Sequence, residues 1–154
     1  MKKIAPILDY ICILLAVIIL VDFAISKTTV IERITSKQIL NQSYNNAGGN
    51  SHLSFSIVTE NNHFNCSESF FNILEDETLI NINRSLIFNK VNSYKNTNTN
   101  QKETYSLRYT TGLFIPIIVL ILLILSLAKP NISDILKFIT KVVIVADLAY
   151  LIFS

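Results

Sequence analysis

The chain has 154 residues, 51% of them hydrophobic, and sets 13 Lys and Arg against 11 Asp and Glu for a net charge of +2. So small an excess, carried by scattered residues, excludes the dense basic surface that a nucleic-acid partner requires. Hydrophobic residues crowd into the two ends and leave a middle rich in Asn, Ser and Thr, which points to one small exposed domain carried between membrane helices.

The first apolar run, residues 4–25, is broken only by Asp9 and Asp22. At about 1.5 Å per residue it crosses a hydrocarbon layer of roughly 30 Å. Lys2 and Lys3 before it place the amino terminus in the cytoplasm. The run exceeds a signal-peptide core and lacks a small-x-small exit, so it is expected to remain as an anchor. Ile11 stands where a lipoprotein cysteine at Cys12 would need a small residue. Ala5, Asp9, Cys12 and Ala16 share one helical face, small and polar, suited to close contact with other helices. Asp22, near the outer end, is expected to meet water, Lys27 or Arg108.

Residues 27–110 are expected to form a β-rich domain with one short helix. Residues 27–40 mix β-branched and charged positions and fit a strand or a continued helix. Residues 41–51, with Gly48-Gly49, read as a loop. From His52, the alternation of Leu53, Phe55 and Ile57 with Ser54, Ser56 and Val58 predicts a strand, turned at Asn61-Asn62 into a partner at residues 63–66. Ser67 caps a short helix over residues 68–74, whose Phe70, Ile73 and Leu74 cover the sheet, and Glu75-Asp76-Glu77 ends it. Ile80, Ile82, Leu86 and Phe88 predict a further strand or pair, broken near Arg84. Residues 87–94 and 104–109 form a last pair around a mobile polar tip, residues 95–103. Tyr94, Tyr105, Arg108 and Tyr109 make a candidate partner surface, because Tyr and Arg dominate interaction hot spots. Tyr109 fits equally as an interface tyrosine beside the next helix. Asn is so abundant that the glycosylation-type triplets at Asn41, Asn65 and Asn83 carry no argument.

A second membrane helix is expected over residues 111–128, with Pro116 in or near its first turn and Lys129-Pro130 ending it on the cytoplasmic side. Asn131 and Asp134 suit a cap, so a third helix should start near Ile132. Asp134, Lys137 and Lys141 share a stripe fitted to the headgroup layer. Residues 142–154 are apolar but reach only about 20 Å, so a tilted span needs the helix's opening turns as well. The expected division is therefore 1–26, 27–110, 111–129 and 130–154.

Five residues in these spans are candidate intramembrane contacts: Asp9, Cys12, Lys141, Asp147 and Tyr150. A carboxylate deep in a membrane helix, as at Asp147, costs about 2.5–3.5 kcal/mol on insertion scales. With Thr140, Tyr150 and Ser154 it forms a polar stripe, read first as a contact between helices or with a partner's helix, and alternatively as a proton or ion relay. Asp9 and Lys141 lie at similar depth and are expected to approach each other. His63 and Cys66, three apart on a strand, point to opposite faces, which argues against a metal or thiol site with His52. Cys12 and Cys66 lie in different environments and are not expected to pair. With no phosphate loop, HExxH or GxSxG, neither a cofactor nor an enzymatic activity is expected.

The expected fold class is thus an α+β membrane protein, three transmembrane helices with a small β-rich extracytoplasmic domain between the first two. Its expected home is a bacterial plasma (inner) membrane, with the amino terminus cytoplasmic, the domain periplasmic and the carboxy terminus extracytoplasmic. The expected role is non-enzymatic: an accessory subunit that binds other membrane proteins through its helices and an extracytoplasmic protein through its domain, an immunity or inhibitor protein being one form. The alternative is a small oligomeric channel or transporter subunit for ions or protons that uses Asp147.

Overall fold

The computed structural model describes residues 4–43, 51–75, 77–128 and 133–153. Lys2 and Lys3, Gly48-Gly49 of the expected loop, Asp76, Lys129-Pro130, the expected cap at Asn131 and Ser154 lie outside the described residues, while residues 41–43 and 51 of that expected loop are strand. The chain is a mixed α+β protein of two compact units, one comprising Met1–Lys27, Ser85–Lys90 and Leu107–Ser154, the other Thr28–Arg84 and Val91–Ser106.

The first unit is helical. Helix α1 spans Ile4–Ala24; a second long helix runs from Ser106 to Ala128 as α3 (Ser106–Tyr109), a π turn (Thr110–Phe114) and α4 (Ile115–Ala128); α5 spans Asp134–Phe153. Two stretches, Ile7–Ala24 and Ser106–Ala128, are long and apolar enough to cross a membrane. Each helix buries one stripe at 3.6-residue spacing: Cys12, Ala16 and Ile19 on α1, Val119 and Leu123 on α4, Ile144 and Leu151 on α5. The small Cys12 and Ala16 let the backbones approach closely. Opposite faces stay aliphatic and exposed, as at Ile118, Ile121, Ile124, Val145 and Ile152, a surface that suits hydrocarbon rather than water.

Helix two starts at Ser106, five residues before the expected Thr111, so residues 106–109 are helical and not the end of a strand. Pro116 consequently lies well inside it. Proline offers no N–H and its ring crowds the preceding turn. The helix widens just before it, where the Ile115 N–H bonds Thr110 O in the i→i−5 pattern of a π turn. Gly112, within that turn, lies against Phe23, and a Cβ there would come within 2.6 Å of Phe23 Cδ2.

The second unit is a curled six-stranded antiparallel sheet of order β3-β2-β1-β4-β5-β6, with β1 Ser26–Ser43, β2 Ser51–Thr59, β3 His63–Cys66, β4 Leu79–Ser85, β5 Val91–Asn96 and β6 Lys102–Thr104. The ambiguous residues 27–40 are therefore strand, as their run of Thr, Val and Ile favours. Register shifts between Ile34 and Ser36 on β1 and between Asn83 and Arg84 on β4 add twist to the sheet. It wraps Ile34, Ile57, Phe64, Phe70, Leu74, Ile80, Ile82 and Tyr94. The Tyr94 ring meets Phe64 at 4.7 Å and Phe70 at 4.8 Å between centroids.

Ser67 caps α2 (Glu68–Asn72), accepting the Phe70 N–H at 3.2 Å. Helix α2 buries Phe70 and Phe71, and Leu74 follows them into the core, whereas Ile73, expected to cover the sheet, is exposed. Ser67 N–H and Oγ also donate to the Glu103 carboxylate at 3.0 and 2.7 Å, linking the ends of β3 and β6, the two outermost strands. The expected mobile tip contracts to a tight turn: Lys95, Asn96, Lys102 and Glu103 are strand, and Asn96 Oδ1 accepts the Asn98 and Thr99 N–H groups.

Glu32, on the same face of β1 as Ile34, is buried at 3% exposure. It accepts Thr59 Oγ1 at 2.5 Å and Asn62 Nδ2 at 2.8 Å, while Arg84 Nη2 lies 3.9 Å away and itself donates to Asn62 Oδ1. Burial pushes the Glu32 carboxyl up, but the Thr59 and Asn62 hydrogen bonds, helped by Asn61, outweigh it and hold the group below its ordinary 4.5. A depressed carboxyl contributes stability that is complete above the unfolded value and is lost as pH falls through the folded one. Sheet stability should therefore be level above about pH 4.5 and fall below it, and Glu32→Gln should remove that part of the slope, as read by near-ultraviolet circular dichroism of thermal unfolding. Gly112→Ala should destabilise the helical unit by about 1–3 kcal/mol through overpacking against Phe23, seen as a lowered Tm in detergent.

Candidate functional site

Polar groups within the helical unit meet across helices. Asp9, Cys12, Ala16, Ile19 and Asp22 form the buried face of α1, which extends the small-and-polar face read from the sequence; the Ala5 side chain lies outside the described residues. Lys141 Nζ of α5 stands 2.6 Å from Asp9 Oδ1, the approach their similar depth suggests. Cys12, one turn on, is buried as a free thiol.

Towards its other end, α1 presents Asp22, which has no exposed surface. Of the three partners considered for it, the structure gives Arg108, whose Nη2 donates to Oδ2 at 2.8 Å. Oδ1 accepts the backbone N–H groups of Ile87 at 2.5 Å and Phe88 at 3.1 Å. The Arg108 guanidinium also lies 5.8 Å from the centroid of the Phe23 ring. Residues 86–88, expected in a strand, instead form a loop that belongs to this helical unit, with Phe88 against its core.

On α5, Thr140, Ile144, Asp147 and Leu151 form the buried face, and Tyr150 lies 42% exposed at its margin. Thr140 is satisfied locally, its hydroxyl donating to Leu136 O at 2.8 Å. Asp147 is 5% exposed, and neither carboxylate oxygen has a hydrogen-bond partner among the described residues. Arg108 is close enough for its charge to act on Asp147.

Of the four residues grouped as a partner surface, Tyr94 and Arg108 are buried. Tyr94 is the centre of the sheet core, and burial, with Glu103 nearby, pushes its phenol well up. Arg108 is buried at 3% exposure in its pair with Asp22. Tyr105 packs partly buried against the sheet core, and Tyr109 is exposed on the second long helix, its ring 6.0 Å from that of Phe23. The strand alternation that grouped them ends at Thr104, where helical geometry takes over.

His63 is exposed, while the Cys66 thiol is half-buried and lies 3.8 Å from Phe55 O. Burial, with Glu103, pushes that thiol up to about 12, which keeps it protonated and unreactive at neutral pH. No group of three His, Cys, Asp or Glu among the described residues is placed to hold a metal. A cleft of about 620 Å³ in the sheet unit is lined by Leu53, Ser54, Phe55, Cys66, Ser67 and Glu68, among others. The sequence reading missed the Glu32 network, although a carboxylate two residues before Ile34 on a strand sits at a core-facing position and requires donors.

Comparison with known protein families, with curated proteins and with solved structures finds no match.

If the Asp9–Lys141 pair registers α1 on α5, either Asp9→Lys or Lys141→Asp alone should cost about 3–5 kcal/mol by stranding like charges. The double exchange should restore accumulation in membranes, measured by quantitative immunoblot; failure to recover would mean that the contact is incidental.

Proposed function

We propose that this chain is a three-span protein of a bacterial plasma membrane and acts as a non-enzymatic docking subunit. Its helices engage a larger membrane assembly and its sheet unit engages an extracytoplasmic protein, an immunity or inhibitor role being one form. The observation that carries the reading is the pairing of two of the helical unit's buried carboxylates, Asp9 with Lys141 and Asp22 with Arg108, beneath an aliphatic exterior. Such pairs hold a bundle in register and leave its outside free to meet lipid or other helices, and they interrupt a continuous polar route through it. Support for a third span comes from the length of α5, whose 20 residues reach on the order of 30 Å, with Lys137 and Lys141 in its first half. The same lysines, with Lys2, Lys3 and Lys129, favour a cytoplasmic amino terminus and an extracytoplasmic carboxy terminus.

A second reading, a channel or transporter subunit, draws on Asp147, whose carboxylate oxygens have no hydrogen-bond partner among the described residues. The two separate on Asp147→Asn. A docking subunit purified in mild detergent at native expression brings a stoichiometric protein partner with it, and its reconstituted vesicles show no ion or proton flux before or after the substitution. Flux that Asp147→Asn abolishes, or a chain that purifies alone, overturns the docking role.

A further inference from the structure

The connection between β4 and β5 departs from ordinary turn chemistry. Turns between strands favour Gly, Asn, Asp, Pro and Ser, yet the tip here reads Leu86-Ile87-Phe88-Asn89, and only Asn89, at φ 54°, is a turn residue. Its base is clamped twice, Ser85 N–H donating to Lys90 O at 2.8 Å and Lys90 N–H to Ser85 Oγ at 3.1 Å. Its middle is held by the helical unit, to which residues 85–90 belong. Asp22 Oδ1 accepts the N–H groups of Ile87 and Phe88, and the Phe88 side chain packs against the bundle core. Leu86 and Ile87 are left exposed, at 42% and 54%.

Asp22 lies in the last turn of the apolar stretch Ile7–Ala24, and Arg108, its other partner, lies in the first turn of the stretch Ser106–Ala128. The tip is therefore level with the ends of both. Ile25 and Tyr109 are exposed at the same end, so Leu86 and Ile87 extend the apolar exterior of the bundle. Non-helical backbone that meets lipid must find its hydrogen-bond partners within the protein, because no water is there to supply them. Four of the six N–H groups of residues 85–90 are bonded in this way, two of them to a fully buried carboxylate. A protein partner could offer acceptors of its own to such a loop; a bilayer cannot, and the internal closure fits the bilayer.

We infer that Leu86 and Ile87 form an interfacial anchor, seated where headgroups meet acyl chains in the leaflet that surrounds the end of α1 and the start of the second long helix. Lys90, at the base of the tip, supplies the cation that the lipid phosphates of that boundary attract, its aliphatic stem lying along the apolar side. The anchor fixes the depth of the β4–β5 connection as the helices fix their own. The inference rests on the reading of α1 and the second long helix as membrane spans.

The chain contains no Trp, so each single Trp introduced is its own reporter. The full chain, purified and reconstituted without other proteins, is placed in phosphatidylcholine vesicles whose acyl chains carry bromine either near the headgroup or near the terminal methyl. Leu86→Trp and Ile87→Trp, made separately at exposed positions, should lose emission to the shallow bromines and much less to the deep ones. Ile121→Trp, exposed well inside the second apolar stretch, should be quenched more by the deep bromines, and Leu53→Trp, exposed on the sheet unit, by neither. Quenching at residues 86 and 87 no stronger than at Leu53→Trp, while Ile121→Trp responds, overturns the anchor and leaves the spans standing. A deep profile at residues 86 and 87 like that of Ile121→Trp overturns the interfacial placement. An Ile121→Trp that no lipid quenches removes the spans, and the anchor falls with them.

Discussion

The Asp22 carboxylate is the constraint on which the helical unit depends. It sits in the last turn of α1, where the helix dipole is negative, and it is fully buried, so both position and environment oppose its charge. The dipole penalty is about 0.3–1 kcal/mol, while a hydrogen bond to a charged group contributes about 1.5–3 kcal/mol, and Asp22 receives three. The donors prevail, and in doing so they fasten three stretches remote in sequence: the end of α1, the loop at residues 87–88 and the start of the second long helix. An apolar residue here would pack, but it would not specify which of these segments it met.

The same logic governs the other end of the unit. Apolar stripes are non-directional, and an aliphatic helix such as α4 can rotate against its neighbours at little cost. Asp9–Lys141 and Asp22–Arg108 lie thirteen residues apart along α1, roughly 20 Å, and each joins α1 to a different helix. Two fixed points at that separation set the rotation of α1 about its axis as well as its depth. Buried ion pairs contribute modestly to stability but can contribute to register, which is what a bundle with aliphatic outer faces lacks.

Much of this was legible in the sequence, and the failures have physical causes. Spacing along α1 was enough to align Asp9, Cys12 and Ala16, and depth alone matched Asp9 with Lys141. Alternation found β2 and the Asn61-Asn62 turn because Leu53, Phe55 and Ile57 alternate with Ser54 and Ser56 and the turn is short. The β1 strand was ambiguous because its charges interrupt the period that distinguishes helix from strand; Glu32 points inward and is satisfied by Thr59 and Asn62, with Asn61, residues whose proximity depends on the folded sheet. The loop at residues 86–88 was misread as strand because its apolar side chains obey the alternation rule while serving a different core. Tyr94 was taken for a surface tyrosine because a phenol between polar neighbours carries no sign of the Phe64 and Phe70 rings that enclose it.

The misplaced start of the second long helix has the most specific cause. In a uniform α-helix, at about 100° per residue, Arg108 lies eight residues from Pro116 and so roughly 80° away around the axis. Its guanidinium would then point aside from the stripe of Pro116, Val119 and Leu123 that faces the bundle. The π turn at Thr110–Phe114 takes up extra residues before Pro116 and turns the preceding segment back, so that Arg108, Gly112 and Pro116 are all buried. Proline thereby does two things at once: it removes a donor the helix would need, and it favours the wider turn that brings Arg108 to Asp22. Gly112 is the condition for both, since Phe23, the neighbour of Asp22, occupies the space where its side chain would be. A periodicity search cannot register a shift of one residue inside a continuous helix, and that shift is what converts a basic residue at the start of an apolar helix into the partner of a buried acid.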